Sequence, residues 1–170
     1  QQLITFAQGG VPVRFPGTLP DLIRDAATFV LRGSNVRCKY QFPSDLWCAE
    51  FDQGQMIQVV QNLIINADQA MPEGGQLSIR ADTNVFPGDF QQRPAIRLHL
   101  ADTGIGITRE DLPRIFEPLF TTKTRGIGLG LTICQSMVEA NGGMIQVDSE
   151  EGKGTIVTLL FPYDDYGNGF

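Results

Sequence analysis

Apolar residues recur at helical spacing in three stretches of the chain. Between residues 20 and 32, Leu22, Ile23, Ala26, Phe29 and Val30 fall on one helical face, and the run ends at Gly33. A longer helix is expected from about Asp52, a good N-cap, to about Met71, ahead of the breaker run Pro72-Glu73-Gly74-Gly75. Met56, Val60, Leu63, Ala67 and Met71 (or Ala70) mark its apolar stripe. A third helix runs from about Gly128 to Ala140 and stops at Asn141-Gly142-Gly143. Period-two alternation predicts a strand at 36–42, with 47–51 as its expected partner, and further strands at 76–82 and 95–101. The chain closes on a hairpin, MIQVDS and TIVTLLF, turned by Glu151-Gly152-Lys153-Gly154.

The remaining stretches read differently. Residues 1–16 look like the end of a helix stopping at Gly9-Gly10, followed by an extended, Pro-bounded stretch. Pro87-Gly88-Asp89 make a loop, and 102–126 is rich in Gly, Pro and Thr with one short helical turn near 109–115. Residues 163–170 lack periodicity and read as a tail or linker. Strands grouped with three helices, without regular βαβ alternation, predict an α+β fold. The expected form is a two-layer sandwich over a mixed, mostly antiparallel sheet, with the divisions 1–16, 17–162 and 163–170.

Composition narrows the function classes. At 170 residues the chain is one ordinary domain, and 42% hydrophobic with 19% charged residues are globular values. A net charge of -6 argues against broad, sequence-independent nucleic-acid binding, yet leaves room for one local anion site. Cys38, Cys48 and Cys134 have no paired metal spacing and read as reduced, small core residues of a cytosolic protein. The only histidine, His99, lies between Leu98 and Leu100 in a strand and reads as structural, so a Cys/His metal site is excluded. No apolar run approaches the roughly 20 residues that a membrane helix needs. The chain opens on Gln1 without a signal-peptide pattern and is expected to be a piece of something longer.

Three features carry chemistry. On the long helix Asn62 and Asn66 are four apart and Gln69 follows three later, a polar seam beside the apolar stripe. Such a seam also suits a solvated face. Asn is a poor helix former, however, and its amide oxygen is a hard ligand suited to Mg²⁺. The second feature is Asp102-Thr103-Gly104-Ile105-Gly106-Ile107, directly after a strand. It reads as a tight turn, or as a carboxylate that accepts from an exocyclic amine, as adenine has, with glycines admitting a flat base. The third is Gly126-Ile127-Gly128-Leu129-Gly130-Leu131 opening the last helix, where free amides and the helix dipole favour a phosphate. It is neither a Walker loop nor a Rossmann turn. Lys123 and Arg125 add positive charge nearby.

Together and in order, these features resemble the nucleotide-binding boxes of the Bergerat-fold ATPase superfamily, whose members include gyrase, heat-shock chaperones, mismatch-repair proteins and histidine kinases. Asn62-Leu-Ile-Ile-Asn66-Ala-Asp-Gln-Ala70 resembles the N box and Asp102-Thr-Gly-Ile-Gly106 the G1 box. Ile115-Phe116-Glu-Pro-Leu-Phe120-Thr-Thr-Lys123 resembles the F box, Gly126–Leu131 the G2 box, and Gly154-Thr155 also fits. The likeness spans about residues 20–162. The F box, and an opening LITFAQGG similar to the end of a dimerisation helix, point to the catalytic domain of a sensor histidine kinase. Hydrolytic members place a glutamate one turn before the metal-binding asparagine; here Asn62 stands there and cannot act as a general base.

The resemblance implies a Bergerat fold in which three helices cover one face of the sheet. It implies binding of ATP and Mg²⁺ and transfer of the γ-phosphoryl to a histidine on a separate dimerisation domain. Asn66 would ligate Mg²⁺ and Asn62 would contact the phosphate or metal region. Asp102 would select adenine, Gly104 and Gly106 would shape its pocket, and Thr155 would support it. Lys123 and Arg125 would face the phosphates from a short lid, and Gly126, Gly128, Gly130 and Leu131 would admit them to the helix N-terminus. Phe116 and Phe120 would pack the base of the lid; plain core packing fits them equally. Gln69 stands where the family often has a charged residue. By the same resemblance, 1–16 is the end of a dimerisation helix with its linker, 17–162 the catalytic domain and 163–170 a tail. The implied partners are that dimerisation domain and a response-regulator receiver domain. The chain would be a cytoplasmic monomer that contacts no membrane and cannot phosphorylate itself, from a homodimeric full-length protein that is either soluble or membrane-anchored. Two rivals remain on the same residues: a serine/threonine kinase of the anti-sigma type, and a nucleotide-dependent interaction module without transfer.

Overall fold

The computed structural model describes residues 11–46, 48–85, 94–122 and 130–162. The expected helix end before Gly10, the loop at 87–89 and the tail at 163–170 lie outside them, as do Lys123, Arg125, Gly126 and Gly128. The order is β1 (Phe15–Gly17), α1 (Leu19–Val30), β2 (Val36–Gln41), β3 (Ala49–Phe51), α2 (Gln53–Gln69), β4 (Gly75–Val85) and β5 (Pro94–Asp102). A 3-10 turn at Leu112–Arg114, α3 (Gly130–Ala140) and the hairpin β6 (Met144–Glu150) and β7 (Gly154–Pro162) complete it.

Five strands form one sheet in the order β2-β4-β5-β7-β6; β2 and β4 are parallel and the other pairs antiparallel. One face carries Leu77 and Ile79 of β4, Ile96, Leu98 and Leu100 of β5, and Leu159 and Phe161 of β7. The stripe Met56, Val60, Leu63, Ala67 and Met71 of α2 packs into the same core. Asp52 starts α2 as expected, its Oδ1 accepting the Gln55 N–H at 3.0 Å. The α+β sandwich expected from the patterning is therefore the fold, with three helices on one face of the sheet.

Three expectations are corrected. The segment 47–51 does not pair with 36–42: β3 pairs antiparallel with β1, Phe15 opposite Phe51, in a separate two-stranded sheet. The crossover through α2 instead lays β2 parallel to β4, Val36 opposite Gly75. Phe29 is 66% exposed, because the buried stripe of α1 runs through Leu19, Leu22, Ile23, Ala26 and Ala27. Cys48 is exposed and Cys38 half-buried, so only Cys134 is a core thiol; all three are free. His99 keeps its structural place, its Nδ1 3.0 Å from the Thr158 hydroxyl. Burial and the neighbouring Arg97 and Arg80 hold its imidazole below the usual range.

Candidate functional site

A cleft of about 430 Å³ opens between α2, the loop after β5, residues 111–122 and the start of α3. The polar seam of α2 enters it: Asn62, Asn66 and Gln69 all line it. Asn62 is only 7% exposed, which removes the reading of a solvated face at that position, whereas Asn66 is half-buried and Gln69 exposed. The Asn62 side chain lies beside the Cys134 thiol of α3, which burial pushes up to about 12.

Asp102 ends β5 and lines the opposite wall. Its Oδ1 accepts the N–H of Gly104 at 2.9 Å and that of Thr155 at 3.3 Å. Both bonds fall on one oxygen, which leaves Oδ2 as an acceptor for a ligand. Burial pushes the carboxyl above the usual range, against the two backbone N–H groups that pull it down. Leu63, Leu100, Ile105, Ile107, Val147 and Val157 supply apolar walls around it.

The loop that follows Asp102 is sewn to both neighbours. Ile105 N–H donates to the Ala70 carbonyl at the end of α2 at 3.0 Å, and Gly152 N–H donates to the Ile105 carbonyl at 2.7 Å. Ile107 N–H donates to Ser149 Oγ at 2.8 Å. The two glycines serve these contacts. A Cβ on Gly104 would stand 2.5 Å from the Ala70 carbonyl oxygen, and one on Gly106, at φ +71, would run into the Glu150 carbonyl. The close approach they permit is thus to the protein's own backbone; Gly106 lines the cleft and Gly104 lies behind it.

The far rim is built from 111–122 and α3. Gly130 and Leu131 line the cleft, and Thr132 Oγ1 donates to the Phe116 carbonyl at 3.2 Å, tying that rim to α3. Phe120 lines the cleft with the Arg114 guanidinium 4.5 Å above its ring. The structure therefore brings together Asn62, Asn66, Asp102, Gly106, Gly130, Leu131 and Thr155. Thr121 and Thr122, which close the F-box stretch before Lys123, also line the cleft, as does Asp111, which no motif in the sequence marks. Ser149 stands behind Thr155 and was equally unmarked. Among the described residues no group of three or more His, Cys, Asp or Glu could hold a metal ion, so a cation here would rely on amide oxygen, solvent and ligand atoms. A flat heterocycle with a donor edge fits the apolar slot over Asp102, and a polar, metal-associated group fits the amide side.

Residues 51–165 match the model of the histidine kinase-, DNA gyrase B- and HSP90-like ATPase family. The sensor kinase CckA of Brucella abortus is 38% identical over 157 residues, covering 85% of this chain and 16% of that protein. Among solved structures, the mycobacterial sensor histidine kinase MprB superposes with a TM-score of 0.74 at 25% identity, over 88% of this chain and 97% of that one. Full-length ShkA in complex with AMPPNP gives 0.77 at 26% identity, over 95% of this chain and 34% of that one. The chain spans about a sixth to a fifth of the length of the curated relatives it matches. Among the described residues no helix is long and apolar enough to cross a membrane.

Proposed function

The chain belongs to the histidine kinase-, DNA gyrase B- and HSP90-like ATPase family, and from that premise we propose that it is the ATP-binding catalytic domain of a two-component sensor histidine kinase. The observation that carries the reading is the half-buried Asp102, with one oxygen held by backbone and the other left to accept, facing two amides across an apolar cleft.

Adenine lies in the slot with its exocyclic amine on Asp102, and Gly106 and Thr155 complete that end. The phosphates extend toward Asn62 and Asn66 on one side and Gly130 and Leu131 on the other. Lys123, Arg125, Gly126 and Gly128 belong to the phosphate side by resemblance. The donor set fits Mg²⁺: the Asn66 amide oxygen is a hard ligand, and Mg²⁺ keeps its waters and takes phosphate oxygens for the rest. When bound, the ion supplies charge neutralisation between the phosphates. The chain's own groups position the triphosphate, which is most of what phosphoryl transfer requires. The bond from the γ-phosphorus to the bridging oxygen breaks, ADP keeps that electron pair, and an imidazole nitrogen of the acceptor histidine takes the phosphoryl. The Asn62 amide cannot deprotonate water, so hydrolysis stays unassisted.

In the same reading 17–162 is the catalytic domain, 1–16 the end of a dimerisation helix with its linker, and 163–170 a tail. The acceptor histidine lies on the dimerisation domain of a homodimeric full-length protein in the cytoplasm, and a receiver domain takes the phosphoryl next. The test supplies radiolabelled Mg-ATP and a dimerisation helix pair in trans. Acid-labile, alkali-stable phosphate on a histidine of that helix pair is the expected result. Alkali-labile phosphate on a serine would replace the reading with the anti-sigma type of kinase. Nucleotide binding without any transfer would reduce the chain to an interaction module.

A further inference from the structure

Asp102, Thr155 and Ser149 form one row across three adjacent strands, Asp102 opposite Thr155 and Thr155 opposite Ser149. Asp102 and Thr155 line the cleft, whereas Ser149 does not. Yet the Ser149 hydroxyl is the most heavily bonded group of the row. It accepts the Ile107 N–H at 2.8 Å, donates to the Gly154 carbonyl at 2.9 Å, and lies 2.8 Å from Thr155 Oγ1.

A serine hydroxyl has one proton and two acceptor sites. The Gly154 carbonyl can only accept, so the Ser149 proton is committed to it. The contact with Thr155 is then donated by Thr155. With its own proton turned back to Ser149, Thr155 Oγ1 is left with acceptor character alone. Beside it stands the Asp102 carboxylate, also an acceptor. The end of the cleft is therefore uniformly hydrogen-bond accepting, and the hydroxyl that makes it so lies outside the cleft.

We propose that Ser149 is a positioning residue for base specificity. By fixing the polarity of the Thr155 hydroxyl, it makes the Asp102 end of the cleft accept the amino edge of adenine and turn away the carbonyl that guanine presents in the same place. This rests on the nucleotide reading of the cleft. Without Ser149, the Thr155 hydroxyl is free to rotate and donate, and guanine is no longer met by acceptors alone. The loop itself keeps its anchors at Ala70 and Gly152.

The experiment measures Kd for Mg-ATP and Mg-GTP in the wild-type chain, Ser149→Ala, Ser149→Thr and Thr155→Val. The expected result is that Ser149→Ala lowers the preference for ATP over GTP about tenfold, the size of one misdirected hydrogen bond. Ser149→Thr, which keeps the hydroxyl, restores the preference. Ser149→Ala that weakens both nucleotides equally would make the residue a plain structural tie and overturn the inference. Should Ser149→Ala fail to fold, Thr155→Val decides: an unchanged ratio overturns the inference and a lowered one supports it. A wild-type chain that binds neither nucleotide removes the nucleotide reading, and this inference with it; a wild-type chain that binds ATP without preference removes the inference alone.

Discussion

Replacing Asp102 by asparagine isolates the one atom on which base recognition turns. In the folded chain Oδ1 accepts from Gly104 N–H at 2.9 Å and Thr155 N–H at 3.3 Å. An asparagine keeps both bonds by placing its carbonyl oxygen where Oδ1 stands. Its NH₂ then occupies the place of Oδ2, and an acceptor becomes a donor facing the donor edge of adenine. A hydrogen bond to a charged group contributes about 1.5–3 kcal/mol, so Mg-ATP should bind about 10- to 150-fold more weakly. Stability should change little, because the two weakened backbone bonds are offset by the loss of a desolvated carboxylate. GTP should gain relative to ATP. Calorimetric titration with each nucleotide reads both effects, and a thermal melt checks the fold. An Asp102→Asn chain that binds ATP as the wild type does would refute the placement of the base over this carboxyl.

Four further outcomes follow from the same geometry. Asn66→Ala should abolish the difference in ATP affinity between Mg²⁺ and a chelator, seen by calorimetry, while metal-free binding stays near the wild-type value. Gly104→Ala should lower stability by about 1–3 kcal/mol in a denaturant titration, because its Cβ would stand 2.5 Å from the Ala70 carbonyl oxygen. Asn141→Ala should lower the melting temperature by about 5–10 °C, corresponding to about 2–3 kcal/mol, since it strands the buried groups that the Asn141 side chain satisfies. ATP affinity should fall on acidification with a midpoint above the ordinary 3.8 of an aspartate, because burial raises the Asp102 carboxyl and only its ionised form accepts fully. The stability term has the opposite sign. A raised carboxyl favours folding most below its unfolded value and loses that contribution as pH rises through the folded value. Asp102→Asn should remove both slopes.

What the sequence disclosed depended on how local the determining contact is. The seam Asn62–Asn66 was legible because helical spacing alone puts both on one face, and Asp102 because a strand end and a Gly-x-Gly turn are adjacent in the chain. The partner of β3 was not legible: alternation marks a strand but says nothing about which neighbour it takes, and the crossover through α2 settled that. Gly104 and Gly106 were legible as glycines of a tight turn, but the contacts that exclude a Cβ there, with the backbone of Ala70 and Glu150, come from distant parts of the chain. Ser149 was invisible because its row joins three strands whose register is fixed by long-range pairing. Asn141 read only as a helix stop. Its side chain proved to be a link between two helices.

That link bears on the cleft from a distance. The helices α2 and α3 run antiparallel, and Asn141 holds their far end. Its Oδ1 accepts the Asp52 N–H at 2.8 Å, and its Nδ2 donates to Gln55 Oε1 and the Met137 carbonyl, each at 2.8 Å. Midway, the Cys134 thiol meets the Val59 carbonyl at 3.8 Å and the Asn62 side chain. At the near end, Gly130 and Leu131 of α3 face Asn62 and Asn66 of α2 across the cleft. The spacing between the amides and the start of α3 is therefore set by a packed pair of helices. An interior that is close-packed transmits a shift at one end to the other. Asn141→Ala should consequently weaken Mg-ATP binding beyond what unfolding explains, although among the described residues Asn141 hydrogen-bonds none that line the cleft. Affinity measured well below the melting temperature separates the two: an Asn141→Ala chain that is less stable yet binds as tightly as the wild type would show that the rim 111–122 and the β5 loop hold the cleft without help from the helix pair.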